Sequence, residues 1–301
     1  MKPNFMIAGV AKCGTTSLSN YLEQHPQVCI PKKETFFFIR ELYEKPPGDL
    51  RGQRRPEQII RTPKAYNKLY STCKKPFLGE VSTCYLYYHE LAIPRIKELL
   101  GDIPVAIIIR QPVKRVISGY RHFIRLKREN LSFEDSLKAE AARKADGWDF
   151  MWQYRELGLY AEGIEAFQKN FSKVKVITQD DLTNRPVEVM QDLYRFFGME
   201  DGFIPDTSIK YNISDSQDDN FWFKYFFQNE TAKRLLKPVS NLFMNDRQRN
   251  NFIHKFRKPS NKPQEKMEID ASVKEELNNY FHEDILRTQE LTGLNLQSWL
   301  K

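Results

Sequence analysis

The chain has 301 residues, a formal net charge of +8, 41% hydrophobic residues and 13% aromatic ones. That composition excludes disordered and collagen-like chains and supplies ample material for a core. No run approaches the roughly 18 apolar residues of a membrane-spanning helix, and the broken apolar start does not read as a signal peptide.

The first element is the apolar run from Phe5 to Ala11, which reads as a buried parallel strand. A Gly- and Thr-rich loop follows. Leu18, Tyr21 and Leu22 then stand at helical spacing until His25 and Pro26 end the run. Residues 40–76 are polar and read as a long surface insertion with a helix near 64–71. A short strand is expected over Phe77 to Glu80, and a helix from Pro94 to Leu100 that stops at Gly101. Val105 to Ile109 is the clearest buried strand. Pro112 suits the first turn of the next helix, with Val113, Val116, Ile117, Tyr120 and Ile124 on one face. Val174 to Thr178 reads as another strand. Pro186 opens a helix carrying Val189, Leu193, Phe196 and Phe197, and Gly198 closes it. Residues 255–266 read as a flexible basic loop and 271–292 as a helix. The alternation of strand and helix predicts an α/β fold, a parallel sheet with helices on both faces. One domain over residues 1–301 accommodates it.

The excess charge is local. Residues 231–262 carry nine Lys or Arg side chains and one acid, Asp246. Such a surface suits an anionic partner or simple solvation. Cys13, Cys29, Cys73 and Cys84 form no C-x-x-C pair and have no His at metal spacing, so neither a zinc site nor a disulfide framework is expected. A reducing cytoplasm is the default compartment.

Gly9 and Gly14 stand five apart after a strand and before a helix, which is the spacing and context of a phosphate-binding loop. Backbone N–H groups at a helix start would face the anion. A nucleotide kinase loop needs Lys and Ser or Thr directly after the second Gly. Here Thr15 and Thr16 follow Gly14, and the lysine is displaced to Lys12. The best buried strand runs into Arg110 rather than an acid that would hold magnesium. A donor whose charge the protein itself neutralises fits this pattern.

The segment AGVAKCGTTSLSNYLEQHPQV resembles the 5′-phosphosulfate loop of the sulfotransferases that use 3′-phosphoadenosine-5′-phosphosulfate, PAPS. The segment IIIRQPVKRVISGYRHF is similar to their 3′-phosphate motif, with Arg110 and Ser118 at its two positions. Weaker likeness runs through KKETFFF, GEVSTCYLYY, GLYAEGIEAFQKNF, VKVITQDDL and the last helix, in the manner of the bacterial and heparan-sulfate-type enzymes.

The resemblance implies the phosphate-loop sulfotransferase fold and in-line transfer of a sulfuryl group from PAPS to a hydroxyl, leaving the bisphosphate PAP, with no metal. It implies donor contacts from Lys12, Cys13, Gly14, Thr15, Thr16 and Ser17, and from Arg110 and Ser118. Lys12 would also stabilise charge in the transition state. Arg257 and Lys258 match a family loop over the 3′-phosphate loosely, and a solvated loop fits them equally. For the base, Glu34 in the KKETFFF segment is the first choice, with Lys33 to support it or touch the donor, and its aromatic neighbours are expected to desolvate it. His89 is the alternative base, or a helix-end polar residue. Glu80 and Ser82 lie in a family-like segment, but Val81 stands where the heparan-type enzymes often carry Lys.

The acceptor is expected to be a glycan, a lipid or a small metabolite. Trp148, Trp152 and Tyr154 would stack on it or pack in the core. No motif specifies nucleic acid or an oligomeric state. The competing readings are an ATP- and magnesium-dependent phosphotransferase of the same fold, or a basic module that binds glycan or nucleic acid.

Overall fold

The structure is a computed structural model that describes residues 1–44, 59–208 and 269–301. Five strands are present among them: β1 (Phe5–Ile7), β2 (Val28–Cys29), β3 (Phe77–Val81), β4 (Val105–Ile109) and β5 (Val174–Thr178). They form one parallel sheet in the order β2-β3-β1-β4-β5. β1 and β4 are buried along their whole length, as expected of strands covered on both faces. The strand predicted over residues 5–11 is shorter than its apolar run because the chain turns into the Gly-rich loop.

The helices are α1 (Thr15–Gln24), α2 (Pro63–Ser71), α3 (His89–Leu100), α4 (Pro112–Arg125), α5 (Phe133–Lys138), α6 (Glu140–Ala145), α7 (Ala161–Asn170), α8 (Gln179–Asn184), α9 (Pro186–Phe197) and α10 (Ala271–Thr292). Prolines at the first helical position start α2, α4 and α9, where a missing N–H costs nothing. α3 begins five residues before its predicted start and holds Pro94 inside it. The buried face of α4 is Val113, Val116, Tyr120 and Phe123; Ile124, predicted with them, is exposed.

Two expectations are corrected. The described part of the 40–76 segment is not all surface: Tyr66 and Tyr70 of α2 are wholly buried, because their hydroxyls reach an acid inside the sheet. A disulfide is present, joining Cys29 at the end of β2 to Cys73 just after α2. Forty-four residues separate the two cysteines, so no local motif announced the pair. Such a bond is more usual in an oxidising compartment than in the reducing one expected. Trp152 and Tyr154 belong to the core, with Trp152 stacked on Phe123 at 3.9 Å between ring centroids. Residues 231–262, with Arg257 and Lys258, lie outside the described residues. Among the described residues no helix is long and apolar enough to cross a membrane.

The register of the central strands carries the chain to the site. Beyond β1, Ala8 N–H donates to Ala106 O and Val10 N–H to Ile108 O, so the loop stays alongside β4. On the other side Ser82 N–H donates to Ile7 O, and Lys33 bridges to Val81. Three loops therefore meet at the carboxyl edge of the sheet, where open α/β sheets bind ligands. Leu86 locks two of the walls. A β-carbon at Gly9 would lie 2.9 Å from Leu86 Cβ, and one at Gly163 on α7 would lie 2.7 Å from Leu86 O.

Candidate active site

The loop from Gly9 to Gly14 ends in α1. Gly14 is the N-cap with φ of 94°, a left-handed conformation that glycine adopts at no steric cost. Gly9 is needed for a different reason, the close seat of Leu86. Lys12 is also left-handed, with φ of 70°, and so are Glu34 at 56° and Phe36 at 53°. Three of the four non-glycine residues with positive φ among the described residues thus border this edge of the sheet. Such conformations cost energy and cluster where a site requires them.

Lys12 is half-buried. Its ammonium is pulled down to about 8, first by burial and then by the charges of Arg125, Arg115 and Arg110. Arg110 follows β4 directly, and its Nη1 donates to Lys12 O at 3.2 Å. Arg110 Nε is buried and has no hydrogen-bond partner among the described residues. Ser118 lies two turns down α4, buried on the same helix. The Cys13 thiol has no exposure. It is buried 3.9 Å from the Tyr160 hydroxyl, and burial pushes it up to about 11. Its backbone N–H is bonded to Val10 O within the loop. Thr15 is buried, and Thr16 and Ser17 are half-buried in the first turn of α1.

Arg115 was missed by the sequence reading. It is fully buried on α4, and Nη2 donates to Tyr154 O at 2.5 Å. Nε and Nη1 find no partner among the described residues. The signal that could have found it is Gly119, one turn on. A β-carbon there would sit 3.3 Å from Arg115 Nη2, so the glycine makes room for the guanidinium. Tyr160 and Asp284 were also missed. The Tyr160 hydroxyl donates to Arg110 O at 2.8 Å. Asp284 on α10 accepts from Tyr160 N–H and Ala161 N–H, which caps α7 and ties the last helix to the site.

Glu34 faces the same edge. Its Oε2 accepts from Thr83 N–H at 3.2 Å and from the Thr83 hydroxyl at 3.1 Å. Its own N–H donates to Val81 O at 2.7 Å. Phe36, Phe37 and Phe38 are buried in the core, where Phe37 stacks on Tyr66. Thr35 anchors the segment by donating to Glu80 Oε1 at 2.6 Å.

Glu80 is a different kind of acid. It has no exposure, and it accepts hydrogen bonds from Thr35, Ser82, Tyr66, Tyr70 and Tyr85. Five hydroxyls satisfy its two oxygens, which makes it a structural hub. His89 opens α3, with Nδ1 3.2 Å from Leu86 O. A carbonyl only accepts, so the neutral ring carries its proton on Nδ1 and leaves Nε2 as an acceptor.

The geometry defines a class: an α/β phosphate-loop protein whose sheet edge gathers cations and one positioned carboxylate. The excess of buried, unsatisfied guanidinium N–H groups beside a helix N-terminus fits an anionic, phosphate-bearing ligand. Residues 3–203 match the sulfotransferase family, and the chain belongs to that family. It is 26% identical over 200 residues to heparan sulfate glucosamine 3-O-sulfotransferase 3B1 of Mus musculus, covering 66% of this chain and 46% of that protein. It is 27% identical over 145 residues to the membrane-associated sulfotransferase kil1 of Dictyostelium discoideum, covering 46% of this chain and 28% of that protein. These alignments span less than half the length of either relative. The crystal structure of a sulfotransferase from Alicyclobacillus acidocaldarius superposes with a TM-score of 0.74 at 30% identity, and covers 100% of both chains.

Proposed function

We propose that this chain transfers a sulfuryl group from PAPS to a hydroxyl, and that the hydroxyl belongs to a glycan. One observation carries the reading: Arg110 Nη1 donates to Lys12 O in the loop that opens α1, while Arg110 Nε lacks a partner among the described residues. The glycan is supported by the acceptor named for the heparan sulfate relatives.

PAPS, when bound, supplies a sulfuryl group on a phosphosulfate anhydride. Arg110 and Ser118 hold the 3′-phosphate, Arg110 through a fork that phosphate fills. Thr15, Thr16 and Ser17 present the start of α1 to the 5′-phosphate. Lys12 places its ammonium at the bridging oxygen, where charge grows as the sulfur–oxygen bond breaks. Glu34, oriented by Thr83, takes the proton from the acceptor hydroxyl as its oxygen bonds to sulfur. His89 remains the second choice for that proton. Arg115 adds a fixed positive field behind Lys12 that no direct contact requires.

The phosphotransferase alternative needs an acid that can hold magnesium beside the loop. Glu80 is the nearest strand acid to the loop in the pairing of β1 and β3, and its oxygens are taken by five hydroxyls. The basic-module reading rested on residues 231–262.

The test is binding first and turnover second. Adenosine-3′,5′-bisphosphate should raise the melting temperature without metal, since a ligand of the native state stabilises it by mass action. Transfer of labelled sulfate from PAPS to desulfated heparan sulfate should follow. Stabilisation by ATP with magnesium and not by the bisphosphate would overturn the reading.

A further inference from the structure

Lys33 sits one residue before Glu34, in the segment that bridges to Val81 of β3. Its ammonium lies 3.3 Å from Thr15 O and 3.3 Å from Thr16 Oγ1. Those are the first two residues of α1, whose N-terminal end carries partial positive charge. Among the described residues no carboxylate oxygen lies within ion-pair distance of Lys33. A half-buried cation is therefore held at the positive end of a helix, close to the loop that carries Lys12. Burial pulls Lys33 below the ordinary lysine range, and Glu34 and Glu23 offset this only in part. A cation beside a helix N-terminus is unfavourable alone and favourable around an anion that both can face.

The opposite position points the same way. Val81 is wholly buried and cannot carry a cation to the site. Lys33 and Val81 are partners in an isolated parallel bridge, so position 33 delivers an ammonium from the adjoining segment to the same edge.

We propose that Lys33 is a second cation of the transfer step, contacting the 5′-phosphate side of the bound donor. This rests on the sulfuryl-transfer reading. In that step the acceptor oxygen–sulfur bond forms and the bond from sulfur to the bridging oxygen breaks. The electron pair stays on the phosphate oxygen, and the acceptor proton passes to Glu34. Lys33 and Lys12 together face the oxygen that gains charge. Thr16 serves as the resting place from which the Lys33 ammonium reaches it.

The experiment compares two ligands that differ only in the 5′-phosphate: adenosine-3′,5′-bisphosphate and adenosine 3′-monophosphate. Calorimetry on wild type, Lys33→Met and Lys33→Arg gives the affinities. Lys33→Met should weaken the bisphosphate about tenfold to a hundredfold, the range of a charge-assisted hydrogen bond, and leave the monophosphate unchanged. Lys33→Arg should recover most of the loss. Equal weakening of both ligands would make Lys33 a structural brace between α1 and the Glu34 segment, and would overturn the proposal. So would unchanged affinity for the bisphosphate. If Lys33→Met does not fold, Lys33→Gln carries the comparison. Wild-type protein that binds neither ligand would defeat the sulfuryl-transfer reading itself, an outcome distinct from both.

Discussion

Thr83 gives Glu34 two donors, the backbone N–H at 3.2 Å and the hydroxyl at 3.1 Å, and both fall on the same carboxylate oxygen. That arrangement turns Glu34 from a mobile surface acid into a group with a fixed direction. Position counts heavily in proton transfer, because the base must be within hydrogen-bond reach of the proton it takes. Replacing Thr83 by Val removes one donor and keeps the volume. We expect kcat to fall about tenfold with the donor KM unchanged. Glu34→Gln should cost more, about a hundredfold or beyond. Initial rates at varied PAPS separate the two terms. Full activity in Glu34→Gln would hand the proton to His89.

Arg110→Ala should act on donor affinity. It removes a fork whose Nε is unpartnered among the described residues, and with it the Nη1 bond to Lys12 O. Affinity for adenosine-3′,5′-bisphosphate should fall about a hundredfold, consistent with one charge-assisted pair. Titration calorimetry reads it directly. Undiminished affinity would remove Arg110 from the 3′-phosphate.

Lys12 gives a pH dependence with a definite sign. It is held down to about 8 in the free protein against an ordinary 10.5. A bound phosphosulfate favours the charged form, so binding should take up a proton between those limits. Affinity should be full below about pH 8 and decline as pH rises through it. Calorimetry in buffers of differing ionisation enthalpy counts the proton. Between the same limits the unfolded chain binds more protons at Lys12. Lys12 therefore opposes folding below about pH 8, and the opposition is relieved as pH rises. Lys12→Met should accordingly raise the melting temperature while lowering kcat.

Glu80 predicts the opposite balance. Removing its carboxylate takes the shared acceptor from the hydroxyls of Thr35, Ser82, Tyr66, Tyr70 and Tyr85, of which Tyr70 keeps Gly79 O at 3.3 Å and Thr35 and Tyr85 keep each other at 3.2 Å. Each stranded buried donor costs about 1–3 kcal/mol, and the costs are not additive. Glu80→Ala should lose more than about 4 kcal/mol in urea melts. A small loss would mean that the hub relaxes around the gap.

The disulfide offers a clean stability test. Closing a loop of 44 residues is worth about 4 kcal/mol at 25 °C in the chain-entropy account. The double variant Cys29→Ala with Cys73→Ala should lose a good part of that in a denaturant melt. Because α2 bears Tyr66 and Tyr70 on Glu80, the loss should be accompanied by faster amide exchange in α2.

The parts legible in the sequence were those whose cause is local. Val105 to Ile109 is a run of β-branched and small apolar residues, and Pro112 marks the helix start after it. Lys12, Gly14 and the two threonines lie within five residues, so a phosphate-binding loop could be expected from spacing alone. Arg110 followed because the strand before it was unmistakable. The parts not legible depend on distance along the chain. Glu80 looks like an ordinary acid after a glycine until Thr35, Tyr66 and Tyr70 arrive from other elements. Cys29 and Cys73 meet only because β2 pairs with β3. Arg115 was hidden by its charge, which made a buried position on α4 look exposed. The two-residue β2 is too short to show any alternation.

Leu86 leaves a mark that would be visible without any experiment on this protein. Its side chain occupies the space of two missing β-carbons, at Gly9 in the phosphate loop and at Gly163 on α7. A larger residue at either glycine is tolerable only where the third position shrinks or shifts. The three sites therefore form a covarying set: lineages that lose one glycine should show a smaller residue at position 86, and should do so together.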